Sequence, residues 1–426
     1  MNIFYGANAL ELDIESNTCS FEILESVSAG LKPVKEESLI VKDAMNQPIN
    51  SEQLRQLAIG KRNAVIIISD HTRPVPSKHI IPHMLAELRD GNPDIDISLL
   101  VATGFHRGTT KEELVRKLGK DIVDNEKIVI HDCQDEQTLV NIGTLPSGAK
   151  LIINKLAAET ELLVSEGFIE PHFFAGFSGG RKSVLPGICS RATVLGNHCS
   201  QFIDSPFSRA GILDNNPIQA DMEEACRLAK LQFIVNVVIN SKKQVVAAFA
   251  GHPLEAHRKG CDALAKQCMV QPKKNGNIVI TSNGGAPLDQ NVYQAVKGMT
   301  AAESAATEGA VIIMCAECAD GSGGEAFYRA LRDCASPQSL QNEILKRPME
   351  QTEPDQWEYQ ILARILSKHH VIFVSRPEMK ATIQDMKMTY SPDLQTALNM
   401  ARDIKGHSCH HVVIPDGVSV IVKQAV

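Results

Sequence analysis

The chain has 426 residues, 43% hydrophobic, 22% charged and 4% aromatic, the proportions of a folded globular protein rather than a disordered or fibrous one. Its 43 Lys and Arg against 50 Asp and Glu leave a net charge of −7 with no long basic stripe, which argues against nucleic acid or an anionic membrane as the main partner. The longest apolar run, Ala310 to Ala316, has seven residues, far short of the roughly 20 that a spanning helix needs.

At roughly 100–200 residues per domain, the length predicts two or three domains. The opening Met1-Asn2-Ile3-Phe4-Tyr5-Gly6 lacks a charged n-region and an apolar h-region, so no secretory signal is expected. With that, an odd count of 11 cysteines in so long a chain predicts free thiols in a reducing, cytoplasmic setting.

Short β-branched runs predict strands in chain order at Ala64–Ile68, Ile97–Val101, Lys127–Ile130, Lys150–Ile153 and Glu161–Val164. Further strands are predicted at Phe233–Ile239, Asn277–Ile280, Val311–Ile313 and Val371–Val374. Continuous rather than alternating apolar runs fit strands buried on both faces. Helix starts lie between them, at Ser51-Glu52-Gln53-Leu54, at Thr109 or Thr110, and at Asn216-Pro217, whose helix runs to about Lys230. Such alternation predicts an α/β fold: two α/β domains with largely parallel sheets and an active-site cleft between them.

The polar break Gln271–Gly276, after a helix over about 253–268, marks the domain boundary. The expected units are an N-terminal α/β domain over 1–270 and a C-terminal one over 271–405. A last segment, 406–426, carries a hairpin-like Pro415-Asp416-Gly417 turn and has no domain assignment.

Three chemistry-bearing segments each follow a predicted strand, where parallel sheets place their ligand sites. In Ser69–Pro74, Asp70 can address hydroxyls and Arg73 an anion; an Asx-turn with a surface Arg is the plain alternative. In Ala102–Gly108, His106 sits in a Gly-bounded turn, as an acid/base or as a residue holding its own turn. Gly167–Ser183 is densest: Gly179 and Gly180 allow close backbone approach to a ligand, and Arg181-Lys182-Ser183 resembles a phosphate loop. Arg181 stands where that motif requires Gly before Lys, which counts against a phosphotransferase.

Other signals are weaker. His198 is a lone potential metal ligand, and the adjacent Cys199 does not make a site of it. Cys315-x-x-Cys318 lacks a second pair and continues a buried strand, so a structural role is expected. The cluster of His407, Cys409, His410 and His411 is read the same way. Gln294 and Lys297 share a face if their segment is helical and can reach across a cleft to a carboxylate; a solvated face is the alternative.

Taken together, D-x-T-R-P (Asp70–Pro74), T-G-x-H-R (Thr103–Arg107), E-P-H…G-x-S-G-G-R-K (Glu170–Lys182), G-N-H (Gly196–His198) and Y-Q-x-V-K-G-M (Tyr293–Met299) resemble the nickel-dependent lactate racemase family. The likeness runs in order over essentially the whole chain. The resemblance implies a nickel pincer nucleotide joined to Lys182 as a thioamide, with His198 on the nickel and His106 and His172 as acid/bases. It further implies that Arg73, Tyr293, Gln294 and Lys297 hold the substrate, and that Asp70, Ser178, Gly179 and Gly180 help hold the cofactor's ribose-phosphate. Trp357 would stand near the active site, and the N-terminal domain would carry the cofactor and both histidines.

The implied chemistry is racemisation or epimerisation of a 2-hydroxy acid, by hydride transfer to the cofactor and back on the other face of a planar keto acid. One histidine serves each enantiomer. Cofactor-synthesis enzymes would be partners for maturation. Phe105 and His71, as departures beside these motifs, would reshape the substrate pocket. A non-catalytic nucleotide or hydroxy-acid binding module is the alternative, but it gives no reason for His106, His172 and Lys182 to occur together.

Overall fold

The run of isoleucines in Asn63–Ser69 forms a central strand whose alternate residues serve two different cores. Val65 and Ile67 pack on one face, Ile66 and Ile68 on the other, all nearly inaccessible to water. The structure, a computed structural model, describes residues 1–12 and 20–423.

Two six-stranded sheets organise the chain. The first runs Val245–Gly251, Leu231–Ile239, Leu162–Phe168, Asn63–Ser69, Asp96–Ala102, Lys127–Ile130, parallel except for its first strand. The second runs Thr389–Ser391, His370–Val374, Ala306–Cys315, Gly276–Ser282, His411–Ile414, Phe21–Ile23, and is parallel throughout. Residues of both sheets, among them Ile67, Leu163, Val279 and Ile312, belong to one apolar core. This is the expected α/β architecture.

The strand order reverses between Asn63–Ser69 and Leu162–Phe168, and again between Gly276–Ser282 and His411–Ile414. Loops diverge at such points and open a crevice at the strands' carboxyl ends.

Helix caps follow the sequence. Thr110 and Glu113 form a reciprocal capping box for Lys111–Leu118, and Asn216 caps Pro217–Leu228 by accepting from the Ile218 and Gln219 amides. That helix stops short of Lys230, whose φ of +56° is incompatible with continuing it.

Four expectations need correction. Lys150–Asn154 is not in a parallel sheet; it pairs antiparallel with Leu139–Thr144 in a separate hairpin, closed by a tight turn at Leu145–Ala149. The strand predicted to end at Val164 continues through Ser165 and Glu166 to Phe168, because Leu231–Ile239 pairs alongside it. Residues on both sides of position 270 build the second sheet, whose edge strand Phe21–Ile23 belongs to the chain's first turns. The last segment joins that sheet as His411–Ile414, and beyond the Pro415-Asp416-Gly417 turn Ile421–Val422 pairs parallel with Met269–Val270, so the turn closes no hairpin.

Among the described residues no disulfide joins any cysteine, and no helix is long and apolar enough to cross a membrane. Cys315 and Cys318 are buried, and burial pushes both thiols up to about 12. They are therefore protonated core residues. His411 is fully buried in the sheet while His410 lies 2.9 Å from the Ser20 hydroxyl, so the tail histidines serve the fold.

Candidate active site

The crevice at the first sheet's switch point holds an inner cavity of about 270 Å³. Its lining includes Asp70, Arg73, His106, His172, Ser178, Gly179, Lys182, His198, Tyr293, Gln294 and Lys297. Of the residues expected to hold the cofactor or substrate or to act as acid/bases, Gly180 alone is missing from it.

His106 and His172 follow strands Asp96–Ala102 and Leu162–Phe168, which flank Asn63–Ser69 on either side. The His106 Nδ1–H donates to Asp70 Oδ2 at 2.6 Å, leaving Nε2 for chemistry. Asp70 Oδ1 accepts from the Thr72 amide at 3.2 Å and hydroxyl at 2.8 Å. Burial raises the Asp70 carboxyl, but the His106 bond and charge and the Thr72 bond outweigh it, and it is held below the usual carboxylate range. Asp70 thus pairs with a histidine within the cavity that Lys182 also lines.

The glycine turn seats Lys182. Gly179 has φ +80°, and a Cβ there would lie 2.7 Å from both the Phe168 carbonyl and Asn236 Oδ1. The Gly180 amide donates to Asn236 Oδ1 at 2.7 Å, and a Cβ on Gly180 would strike the His257 ring at 2.6 Å. That N–H is therefore spent on the fold. Ser178 Oγ accepts from the Glu170 amide at 3.1 Å, closing the same loop. Arg181 is fully buried, donating to the Ala175 carbonyl at 2.7 Å and to Gln219.

Lys182 Nζ lies 3.3 Å from His172 Nε2. Burial, then the charges of Arg181 and Arg73, push the Lys182 amine well below its usual range, which favours its uncharged, nucleophilic form. The Ala175 amide donates to His172 Nδ1 at 3.3 Å, and burial lowers this ring's pKa too. His198 ends the helix Arg191–Asn197, which Ser190 caps. Its Nδ1–H donates to the Val194 carbonyl at 3.0 Å, and burial holds its pKa down to about 3. Its other nitrogen keeps a free lone pair at neutral pH.

The opposite wall comes from helix Val292–Ala305, capped by Asn291 after the second sheet's central strand. Lys297 Nζ donates to Gln294 Oε1 at 2.6 Å, so the two share a face as expected. Tyr293 is different: its hydroxyl donates to Asp355 Oδ1 at 3.2 Å and accepts from Trp357 Nε1 at 3.0 Å. Arg73 is exposed at the mouth, its carbonyl taking a bond from Lys117 Nζ at 3.2 Å. Phe105 lines the cavity; His71 does not, since its Nδ1 pairs with the Thr109 hydroxyl at 3.1 Å.

Three carboxylates in the lining had no role assigned from sequence: Glu166, buried and accepting from the Ser77 hydroxyl at 2.6 Å, and the pair Glu170, half-buried, and Glu358, buried. Burial raises both of the pair, Glu358 to about 8, while Lys297 lowers each. Glu170 lay within the E-P-H motif; Glu358, next to the lone Trp, carried no such signal.

Residues 5–211 match the family model of the lactate racemase N-terminal domain, and residues 271–422 that of the C-terminal domain. The chain is 52% identical over 424 residues to the lactate racemase of Thermoanaerobacterium thermosaccharolyticum, covering 100% of this chain and 99% of that one. It is 49% identical over 419 residues to the lactate racemase of Lactiplantibacillus plantarum, covering 98% of each. The structure of the T. thermosaccharolyticum lactate racemase apoprotein superposes with a TM-score of 0.95 over 99% of both chains. A Thermotoga maritima protein at 20% identity, covering 88% of this chain and 99% of its own, shares the fold at a TM-score of 0.62. With both domain models matched in order and about half of all residues shared over the full length, this chain belongs to the lactate racemase family.

Proposed function

We propose that this isomerase racemises lactate or a closely related 2-hydroxy acid with a nickel pincer nucleotide tethered to Lys182. The observation that carries the reading is a single cleft lined by a buried lysine, a histidine with one nitrogen free for a metal, two further histidines and the cations Arg73 and Lys297. Full-length likeness to two lactate racemases supports lactate as the substrate.

The residues fit such a cofactor. His198 offers one nitrogen with its tautomer already set by the Val194 carbonyl, as metal-binding histidines require. Among the described residues no group of three or more His, Cys, Asp or Glu side chains is arranged to hold a metal ion. A metal on His198 would therefore take its other ligands from the cofactor, as a pincer provides. Lys182, whose uncharged form burial favours, is suited to a covalent amide-type link, and Ser178 and Gly179 border it in the cavity.

When bound, the pincer nucleotide supplies a reversible hydride acceptor. Arg73 and Lys297, with Gln294, hold the substrate carboxylate. His106, through Nε2, and His172 take the hydroxyl proton of one enantiomer and return it to the other. Asp70 keeps the His106 ring turned, with Nδ1 engaged and Nε2 toward the cleft. We assign the protein to the cytosol, where cofactor-synthesis enzymes would mature it and where cysteines outside disulfides persist.

The test is co-expression with the cofactor-synthesis enzymes, followed by nickel analysis, peptide mass spectrometry and a chiral assay on 2-hydroxy acids. An adduct on the Lys182 peptide, nickel in the protein and lactate racemisation are expected. A reconstituted Lys182→Ala variant as active as wild type would overturn the reading.

A further inference from the structure

The rings around the cleft form one continuous edge-to-face series. Phe105 meets Trp357 at a centroid distance of 6.2 Å, and Trp357 meets His198 at 5.0 Å. His198 meets Phe174 at 5.1 Å, and Phe174 meets His172 at 4.6 Å. Within this series Trp357 alone comes from the C-terminal half of the chain, in the first turn of helix Gln356–Lys368.

Its orientation is held at both ends. The indole N–H donates to the Tyr293 hydroxyl at 3.0 Å, and that hydroxyl donates to Asp355 Oδ1 at 3.2 Å. Asp355 adopts a left-handed φ of +63°, a conformation uncommon outside glycine that persists where the surroundings enforce it. Tyr293 in turn packs edge-on against the buried Phe327 at 5.3 Å. A ring pinned by a hydrogen-bonded relay on one edge and by aromatic contacts beside it cannot swing aside cheaply.

The position of the ring gives the clamp its consequence. Phe105, Phe173, Tyr293 and Trp357 line both the inner cavity of about 270 Å³ and the outer cleft of about 1330 Å³ between the two sheets. They stand where the two spaces meet, together with Phe168 and with the polar Arg73, His106, His172, Gln294 and Lys297. Once Arg73, Lys297, Gln294 and the histidines engage the carboxylate and hydroxyl, the remaining part of a 2-hydroxy acid is the substituent on its α-carbon. That substituent meets rings. An apolar wall separates substrates differing by one methylene only modestly, by roughly 10–200-fold, so a steric limit is the stronger way to choose by size.

We propose that Trp357, clamped by Tyr293 and Asp355, sets the upper size of the substrate. It restricts the enzyme to 2-hydroxy acids with a short alkyl substituent, and shortening it joins the inner cavity to the outer cleft. Tyr293 is then a positioning residue rather than a substrate ligand. This inference rests on the 2-hydroxy-acid racemase reading above.

The experiment compares cofactor-loaded wild type, Trp357→Leu and Tyr293→Phe by chiral assay on lactate, 2-hydroxyisocaproate and 3-phenyllactate. Wild type is expected to prefer lactate. Trp357→Leu is expected to raise the kcat/KM ratio of the bulky acids to lactate about tenfold or more, mainly through KM. Tyr293→Phe, which keeps the ring's volume and removes only the relay, is expected to move the ratio the same way by a smaller factor. If Trp357→Leu does not fold, the Tyr293→Phe ratio decides. Equal loss on all three acids with an unchanged ratio overturns the inference while leaving the racemase reading intact, as does a wild type that takes 3-phenyllactate as readily as lactate. A loaded wild type that racemises none of the three overturns the racemase reading itself, and this inference with it.

Discussion

Asp70 Oδ2 lies 2.6 Å from His106 Nδ1, joining two strand-end loops whose residues are 36 positions apart. The carboxylate is 1% exposed and stays ionised, so it fixes which imidazole nitrogen faces the cleft.

Asp70→Asn keeps the shape but removes the charge and lets the other tautomer form. Losses of roughly 10²–10⁴ in kcat are typical when an acid/base group is disabled, and a drop within that range is expected, with KM for lactate little changed. Enantiomers have equal free energies, so kcat/KM must fall equally in both directions. Steady-state assays from each enantiomer measure this, and an unchanged kcat would remove Asp70 from the mechanism.

Lys182 gives a stability prediction whose sign depends on pH. Its folded-state pKa is depressed by burial and by Arg181 and Arg73, whereas an unfolded lysine titrates near about 10.4. The unfolded chain therefore binds a proton there that the folded one does not, and stability falls as pH drops below about 10.4. Lys182→Met is expected to raise the Tm of the cofactor-free protein at pH 7, by a margin that shrinks as pH approaches about 10. Thermal melts of both proteins across that range check it; a constant margin would mean that packing, not charge, is responsible.

Gly179 tests the seat under Lys182. A side chain at φ +80° is strained, and its Cβ would press on backbone at Phe168 as well as on Asn236. Strain of this kind costs about 1–3 kcal/mol, so Gly179→Ala should lower the denaturation midpoint accordingly at constant m-value. The displaced loop should also reduce the cofactor adduct on Lys182, read by peptide mass spectrometry.

Much of the architecture was legible because its causes are local. A run such as Ala64–Ile68 declares a doubly buried strand, and Thr110 with Glu113 declares a helix start, since each signal depends on neighbours within a few residues. The hairpin at Lys150–Asn154 misled for the same reason: three apolar residues in a row, Leu151 to Ile153, look alike in a sheet centre and in a covering hairpin. The site residues were legible as an ordered set of motifs, and nearly all of them line one cavity.

By itself the sequence determined the fold class, the family resemblance and the cast of side chains. The tertiary structure decided which of them touch. Asp70 met His106 across 36 positions, the Gly180 amide went to Asn236 across 56, and the Tyr293 hydroxyl to Asp355 across 62. Each of these pairings depends on strand order and on where a helix lands against a sheet. A hydrogen bond needs its partners within about 3 Å, a condition that long-range packing alone can satisfy.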